Sequence, residues 1–287
     1  MSPASTPQPP GLPVSSDRAA AFFQELCWGR TGPVCPRCGH TKAYTLSDDR
    51  WRCRSCRHTF RRFTGRWLGR CKIPPEYWLA LAADFAAGTH PDHAAHDLGL
   101  NGATVLKAYT VIRLALLTRD RGCRSLLDEQ GELVTFCPDV HGHETRPSCH
   151  VCRSPVLGIT VDDENVSVDL FPGIMARDVF GFPLHLKSIW SLVLSDPFQG
   201  RTALAFACCC QARQTFAEKF RSKPLAIESR TRFFDHLNRW FDHYRCPRPA
   251  SHPLYLKEIE ARYRHSTDDL NIFVLSALAD FIPPSPR

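Results

Sequence analysis

Two closely spaced cysteine pairs constrain the fold of this chain more than any other feature. Cys35-Pro-Arg-Cys38 is followed by 14 residues and then by Cys53-Arg-Ser-Cys56. Each pair has the spacing of a tight knuckle, and two knuckles together supply the four thiolates of a tetrahedral zinc site. Because the protein would fill all four positions, the predicted zinc is structural. The alternative, a set of free buried thiols, does not account for the paired spacing.

The N-terminal composition predicts the compartment. Residues 1–16 are rich in Pro, Ser and Thr and lack the charged-then-apolar order of a signal peptide, and no apolar run in the chain approaches bilayer length. We therefore expect a cytoplasmic protein with a disordered lead over residues 1–26. In a reducing compartment, the clustered members of the 14 cysteines are expected to bind metal rather than to form disulfides.

The excess positive charge lies in the N-terminal part of the chain. Residues 1–130 contain 18 Lys and Arg against 11 Asp and Glu, whereas residues 131–287 contain 18 of each kind. Between Arg30 and Lys72, 12 basic residues are accompanied by two acidic ones. Positive charges at this density repel one another unless a polyanion binds to them. We therefore expect double-stranded DNA as the partner. The alternative is a solvated basic face.

Three helices are predicted after the cysteine pairs. The spacing of apolar residues indicates helices over Glu76–Ala87, His90–Leu98 and Ala103–Leu117. The turn Gly99-Leu-Asn-Gly102 joins the second to the third. Two helices joined by a short glycine-containing turn are typical of a helix-turn-helix, whose second helix enters a DNA major groove. Three helices with a purely structural role are the alternative.

The C-terminal half has a different pattern. Apolar strand-like runs occur at Val156–Val161, Val166–Phe171 and Ile189–Leu194, and the first two indicate a hairpin. Helical patterns are predicted from Ala203 onward. Strands followed by helices predict an α/β or α+β layer fold.

A second group of metal-ligand residues lies between the two halves. Cys149 and Cys152 have knuckle spacing, and Cys137 with either His141 or His143 would complete a second tetrahedral zinc site. The alternative interpretation is a loop with incidental thiols.

Motifs near both ends of the chain resemble those of one known family. The N-terminal motifs are Cys35-Pro-x-Cys38-Gly39, Tyr44, Trp51-Arg-Cys53-Arg-x-Cys56, Phe60, Thr64-Gly65, Lys72-x-Pro74 and Trp78. The C-terminal motif is Leu256-Lys-Glu-Ile-Glu260-Ala-Arg262-Tyr-Arg-His265. Together they resemble the zinc-ribbon DDE transposases of bacterial insertion sequences, of the ISXO type.

The resemblance implies an RNase H-like domain that cleaves DNA ends and transfers strands with Mg²⁺ held by three acids. Asp196, which follows the third predicted strand, corresponds to the second acid, and Glu228 corresponds to the third. The best register places Phe136 and Cys137 where the first acid is expected. Asp139 lies shortly after that position and is the favoured first acid, with Asp128 as the alternative.

These observations predict a multi-domain α+β protein. Its parts are a lead over residues 1–26, a zinc ribbon over 27–72, a helix-turn-helix over 73–125 and an RNase H-like domain with a helical C-terminal part over 126–287. The predicted function is a transposase that acts on nucleoid DNA, as a homo-oligomer and away from membranes. The alternatives are a transposase-derived DNA-binding protein whose nuclease centre has decayed, and a zinc-ribbon regulator unrelated to transposition.

Overall fold

The computed structural model describes eight residues between 233 and 244 and the ranges 14–29, 32–128, 130–133, 156–162, 165–171, 190–193, 203–207 and 251–283. These residues form helices and small sheets in two compact units. The first unit comprises residues 1–115 and 267–282, and the second comprises residues 116–266 and 283–287. The units are described separately.

The first unit contains a small antiparallel sheet of three strands, β1 (Ala43–Thr45), β2 (Arg50–Cys53) and β3 (Thr59–Arg61), in the order β1-β2-β3. The register pairs Trp51 with Phe60 and Arg52 with Tyr44. Because side chains alternate across a strand, these two pairs lie on opposite faces. Phe60 is buried with the cysteines and Trp51 packs against them, whereas Tyr44 and Arg52 are exposed.

Helix α1 (Ser16–Trp28) precedes the sheet, so the structure differs from the predicted disordered lead from Ser16 onward. Its side chains Phe23, Cys27 and Trp28 are buried. Trp28 packs edge to face on Trp51, with the ring centroids 4.6 Å apart. Burial of these aromatic groups against the sheet offsets the entropy lost when the segment becomes ordered.

Three further helices follow a short 3₁₀ turn at Trp67–Arg70: α2 (Pro75–Ala87), α3 (Pro91–Leu98) and α4 (Gly102–Arg119). They confirm the three predicted helices to within two residues at each end. Proline stands in the first turn of α2, where a missing N–H costs little. Gly88 and Gly99 end α2 and α3 in the left-handed region, at φ 79° and 63°, where glycine has no steric penalty.

The two C-terminal helices, α5 (His252–Arg264) and α6 (Thr267–Ala279), belong to different units. The prediction assigned both to the domain over residues 126–287, whereas α6 belongs to the first unit and packs on α1, α2 and the 3₁₀ turn. Leu270, Val274 and Leu278 form an apolar stripe on α6, and this stripe is buried. Helix α6 packs in the first unit because that packing removes the stripe from water.

The second unit contains an antiparallel sheet of four strands, in the order β5-β4-β7-β6. The strands are β4 (Val156–Asp162), β5 (Asn165–Phe171), β6 (Trp190–Val193) and β7 (Ala203–Ala207), and α5 packs on β5. The predicted hairpin is confirmed as β4 and β5. The prediction of a helical pattern from Ala203 is wrong, because a short apolar run has no periodicity that distinguishes a strand from a helix. Within the described residues, no helix combines the length and apolarity that a bilayer crossing requires.

Candidate zinc centre and nucleic-acid interface

Four cysteine thiols converge in the first unit. The Sγ atoms of Cys35, Cys38, Cys53 and Cys56 all lie within 4.8 Å of one another. The Cys35–Cys56 and Cys38–Cys53 pairs are each separated by 3.6 Å. Thiolates at about 2.3 Å from a tetrahedral zinc ion lie about 3.8 Å apart, whereas disulfide sulfurs lie about 2.05 Å apart. The structure thus brings together the four predicted ligands in an arrangement that fits zinc and not a pair of disulfides.

The two knuckles share one backbone geometry. Gly39 and Arg57, each directly after the second cysteine of its pair, have φ angles of 71° and 60° in the left-handed region. In each knuckle the first cysteine donates its N–H to the carbonyl oxygen five residues later, at 3.0 Å from Cys35 and 2.9 Å from Cys53. The repeated turn is therefore a property of the spacing, which holds the two thiols of a pair together.

The thiol of Cys53 ionises more readily than that of an ordinary cysteine. Burial opposes ionisation, but hydrogen bonds from the backbone of Cys56 and Ser55 and from the thiols of Cys38 and Cys56 outweigh it and lower the pKa of Cys53 to about 7. Zinc binds the thiolate, so a lower pKa reduces the competition between the metal ion and the proton.

The cysteines also form the interior of the ribbon. Cys35, Cys53 and Phe60 are almost completely buried, and Ala43 and Trp51 pack against them. A sheet of three short strands buries too little apolar surface to fold on that basis alone. Zinc bound at this site would therefore contribute folding free energy to the ribbon, beside the packing of α1 on the sheet.

The other face of the ribbon sheet is basic. Arg52 on β2 pairs with Tyr44 on β1, and Arg50 pairs with Arg61 on β3. The guanidinium group of Arg54 lies over the Tyr44 ring, 4.6 Å from its centroid. All five side chains are exposed or half-exposed. We call Tyr44, Arg50, Arg52, Arg54 and Arg61 the basic face.

Arg66 belongs to the same basic run of the sequence but lies in the interior, at 6% exposure. One Nη donates to the Cys27 carbonyl oxygen at 2.6 Å, and the other donates to the Ala279 carbonyl oxygen. The guanidinium group stacks on the Phe281 ring, 4.0 Å from its centroid. These carbonyls lie in the last turns of α1 and α6, so Arg66 caps two helix C-termini and is not a DNA ligand.

The other predicted site residues lie outside the described part of the chain, apart from the alternative first acid, Asp128. Its Oδ1 accepts hydrogen bonds from the backbone N–H groups of Gln130 and Glu132, both at 2.9 Å, and so closes a turn. Outside the described residues lie two groups of predicted site residues: the acids Asp139, Asp196 and Glu228, and the candidate ligands of a second zinc, Cys137, His141, His143, Cys149 and Cys152.

A buried charge network in the second unit was not predicted from the sequence. Lys257 on α5 donates to Asp120 and Glu260, both at 2.8 Å, and to the Val168 carbonyl oxygen on β5. Burial disfavours its charge, but the nearby carboxylate of Glu260 and the other partners outweigh this and raise the pKa of Lys257. The hydrogen bond from Lys257 to Val168 joins α5 to β5 of the sheet.

Glu258 is the centre of a second charged cluster on α5. Arg262, one helical turn later, donates to Glu258 Oε1 from Nε at 2.9 Å and from Nη2 at 2.7 Å, and the Tyr244 hydroxyl donates to the same oxygen. Arg262 also lies over the Trp240 ring at 4.2 Å. The Glu-to-Arg spacing of four residues was the available sequence signal. The charges of the C-terminal motif are therefore structural.

One comparison with known families gives a match. Residues 14–59 match the family described as the transposase zinc-ribbon domain, of the IS1595 type. The match covers α1, both cysteine pairs and the start of β3, which is less than half of the chain. No curated protein and no solved structure matches the chain. The match and the converging thiols together indicate a structural zinc and a role in binding DNA.

Proposed function

We propose that this protein is the transposase of a bacterial insertion sequence, acting on nucleoid DNA in the cytoplasm, and that its zinc ribbon holds the DNA. The match of residues 14–59 to the transposase zinc-ribbon domain carries the proposal. A site with four cysteine ligands has no open coordination position, so the zinc contributes rigidity rather than chemistry. The rigid module then presents the basic face.

The basic face suits the phosphate backbone. Planar guanidinium groups bind phosphate oxygens through two parallel hydrogen bonds. Arg52 and Arg54 flank the exposed ring of Tyr44, which orders the Arg54 side chain by a cation–π contact. Contacts of this kind carry no sequence information, so the ribbon supplies general affinity and orientation.

Salt titrations test this part of the proposal. Binding of the full chain to a labelled mixed-sequence duplex should weaken with salt, with a log–log slope of about 0.9 per phosphate contact. Arg52→Ala and Arg61→Ala should each reduce the slope by about 1. Arg18→Ala, an exposed arginine on α1, is the matched control and should leave the slope unchanged. Equal slopes in all four proteins would contradict the assignment of the basic face.

We assign a second DNA contact to residues 73–125 as a helix-turn-helix formed by α3, the turn Gly99–Gly102 and α4. The support is the short glycine-containing turn between two helices, together with the placement of residues 73–115 in the same unit as the ribbon.

The catalytic part of the proposal concerns residues 126–287 as an RNase H-like domain. Asp196, Glu228 and Asp139 would supply the carboxylates, which are the ligands that Mg²⁺ prefers. The assay is cleavage of labelled element ends with Mg²⁺ or Mn²⁺. Wild type should cut, whereas Asp196→Asn and Glu228→Gln should bind DNA without cutting. Because an element has two ends, we also propose that copies of the chain assemble on DNA.

A DNA-binding protein without nuclease activity is the second candidate. The register that places Phe136 and Cys137 at the first acid favours it, as does the turn-closing role of Asp128. Two acids cannot hold two metal ions at the spacing that phosphodiester cleavage requires. Normal binding of element ends by a wild-type protein that never cuts them would establish this candidate.

A further inference from the structure

Helix α4 exposes one narrow stripe of side chains in its N-terminal half. Ala103, Leu106, Lys107 and Thr110 are exposed, whereas every residue from Val111 to Thr118 is buried. Spacings of three, four and seven residues place the four exposed side chains on one face of the helix. We call them the α4 stripe.

The α4 stripe combines side chains of different chemistry. Leu106 is 51% exposed, although α4 buries most of its other apolar side chains. The helix contains no Asp or Glu, so Lys107 has no acidic neighbour in α4. The stripe therefore combines an apolar group, a positive charge and the Thr110 hydroxyl.

One cation outside the stripe, Arg70, acts on the same buried thiol as Lys107. Burial raises the pKa of the Cys71 thiol, and the charges of Lys107 and Arg70 act in the opposite direction. Both cations therefore act electrostatically on this thiol. A polyanion is the partner that complements such a surface.

The packing of α4 holds the stripe in place. The Asn101 side chain accepts a hydrogen bond from the Ala103 N–H at 2.8 Å and so caps the start of the helix. Tyr109 packs edge to face on Phe85 of α2, with the ring centroids 5.2 Å apart, and Arg113 lies over the same Phe85 ring at 5.6 Å. The helix is thus anchored to α2 through side chains outside the stripe.

We propose that the α4 stripe reads base edges in the major groove of duplex DNA, and that Leu106 contacts thymine methyl groups. This rests on the proposed function. The major groove, about 12 Å wide, admits an α-helix, and it displays thymine methyls for apolar side chains and purine acceptors for donors such as Lys107 and Thr110. The ribbon's basic face then supplies affinity, and the stripe supplies sequence preference.

The first experiment selects sequences from a duplex library with a randomised centre, using the full chain. Wild type and the matched control Ile272→Ala, an exposed aliphatic residue on α6 in the same unit, should select one consensus. Leu106→Ala should lose preference at one or more thymine positions, and Leu106→Gln should shift preference there toward adenine. Identical consensus sequences for all four proteins would overturn the inference.

The second experiment removes the methyl group from the DNA instead. In the selected duplex, thymine is replaced by uracil at each preferred position in turn. Wild-type affinity should fall about fourfold at the contacted position, the factor for burial of one methyl group, and Leu106→Ala should show no further fall there. An equal response of both proteins at every position would overturn the inference.

A different measurement tests the proposed function separately from the role of the α4 stripe. The salt slope with a mixed-sequence duplex should be the same for wild type and Leu106→Ala, because the ribbon supplies it. A wild-type protein without salt-dependent binding would refute the proposed function itself. Normal binding with an unchanged sequence preference in Leu106→Ala would refute only the role of the stripe.

Discussion

Arg66 carries a charge in the interior of the first unit, where two carbonyl oxygens and the nearby charge of Asp280 favour it. The groups it contacts, the Cys27 and Ala279 carbonyls and the Phe281 ring, are all uncharged. The carbonyls stand at the negative ends of two helices, where a cation is favoured. Burial lowers the pKa of Arg66, but its ordinary value is so high that the side chain stays charged.

Substitution of Arg66 should destabilise the first unit. Arg66→Lys keeps the charge but loses the planar fork that reaches both carbonyls, so we expect the free energy of unfolding to fall by about 1–3 kcal/mol. Arg66→Ala should cost more, because it also removes the stacking on Phe281. Urea unfolding measures both. The exposed Arg61→Lys is the control and should change stability by less than about 0.5 kcal/mol.

The negative charge of Asp84 is unfavourable at its position, unlike the positive charge of Arg66. It stands in the last turn of α2, near the helix's negative end, and burial and the charge of Asp97 raise the pKa of its carboxyl group. A raised pKa in the folded state means that its contribution to stability is fully present below the unfolded pKa, about 3.9, and is lost as the pH rises through the folded value.

Asp84→Asn should therefore stabilise the protein at neutral pH. We expect a gain of about 0.3–1 kcal/mol at pH 7 that shrinks toward zero below about pH 3. Asp92→Asn is the matched control with the opposite sign, because Asp92 lies in the first turn of α3, where a negative charge is favourable. Thermal unfolding across pH measures both variants. A loss of stability in Asp84→Asn at pH 7 would contradict this account.

At the scale of elements, α6 completes the first unit although it lies far from the ribbon in sequence. It contributes buried Leu270, Val274 and Leu278, and its last carbonyl binds Arg66. Burial of a leucine or valine side chain stabilises a fold by about 1.5–3 kcal/mol. The ribbon and its neighbouring helices therefore depend on a segment after residue 266.

Truncation tests this dependence. A chain that ends at Ser266 should lose the cooperative unfolding of the first unit and bind DNA weakly, although every basic residue of the ribbon is present. A chain that ends at Pro283 keeps α6 and should unfold and bind as wild type does. Proteolysis rates within residues 32–115 report the folded state directly. Equal protection of the two truncated chains would show that α6 is dispensable.

At the scale of the whole molecule, zinc content distinguishes the two predicted metal sites. We expect two equivalents per chain, one lost in Cys53→Ser and the other in Cys149→Ser. Cys53→Ser should also unfold the first unit, because metal binding supplies much of a small module's folding free energy. One equivalent in both wild type and Cys149→Ser would contradict the second site alone. A folded wild-type protein without zinc would contradict both.

The sequence by itself determined the features that depend on local spacing. Two Cys-x-x-Cys pairs define a zinc site because each knuckle is closed by backbone hydrogen bonds within six residues, as around Cys35 and Cys53. Helices α2, α3 and α4 were predictable from their apolar spacing, with proline and glycine at the ends of α2 and α3 and glycine at the start of α4. The acids Asp139, Asp196 and Glu228 stay predictions, since they came from a resemblance and lie outside the described residues.

Only the tertiary structure decided which residues of one type are exposed and which are buried. Arg52 and Arg66 belong to the same basic run, yet one is exposed on the ribbon sheet and the other is buried between two helix ends. The same holds for α6, whose apolar stripe finds its partner in the first unit, and for β7, whose strand depends on pairing with β4 and β6. Each outcome depends on surfaces supplied by distant segments, and local periodicity carries no information about those surfaces.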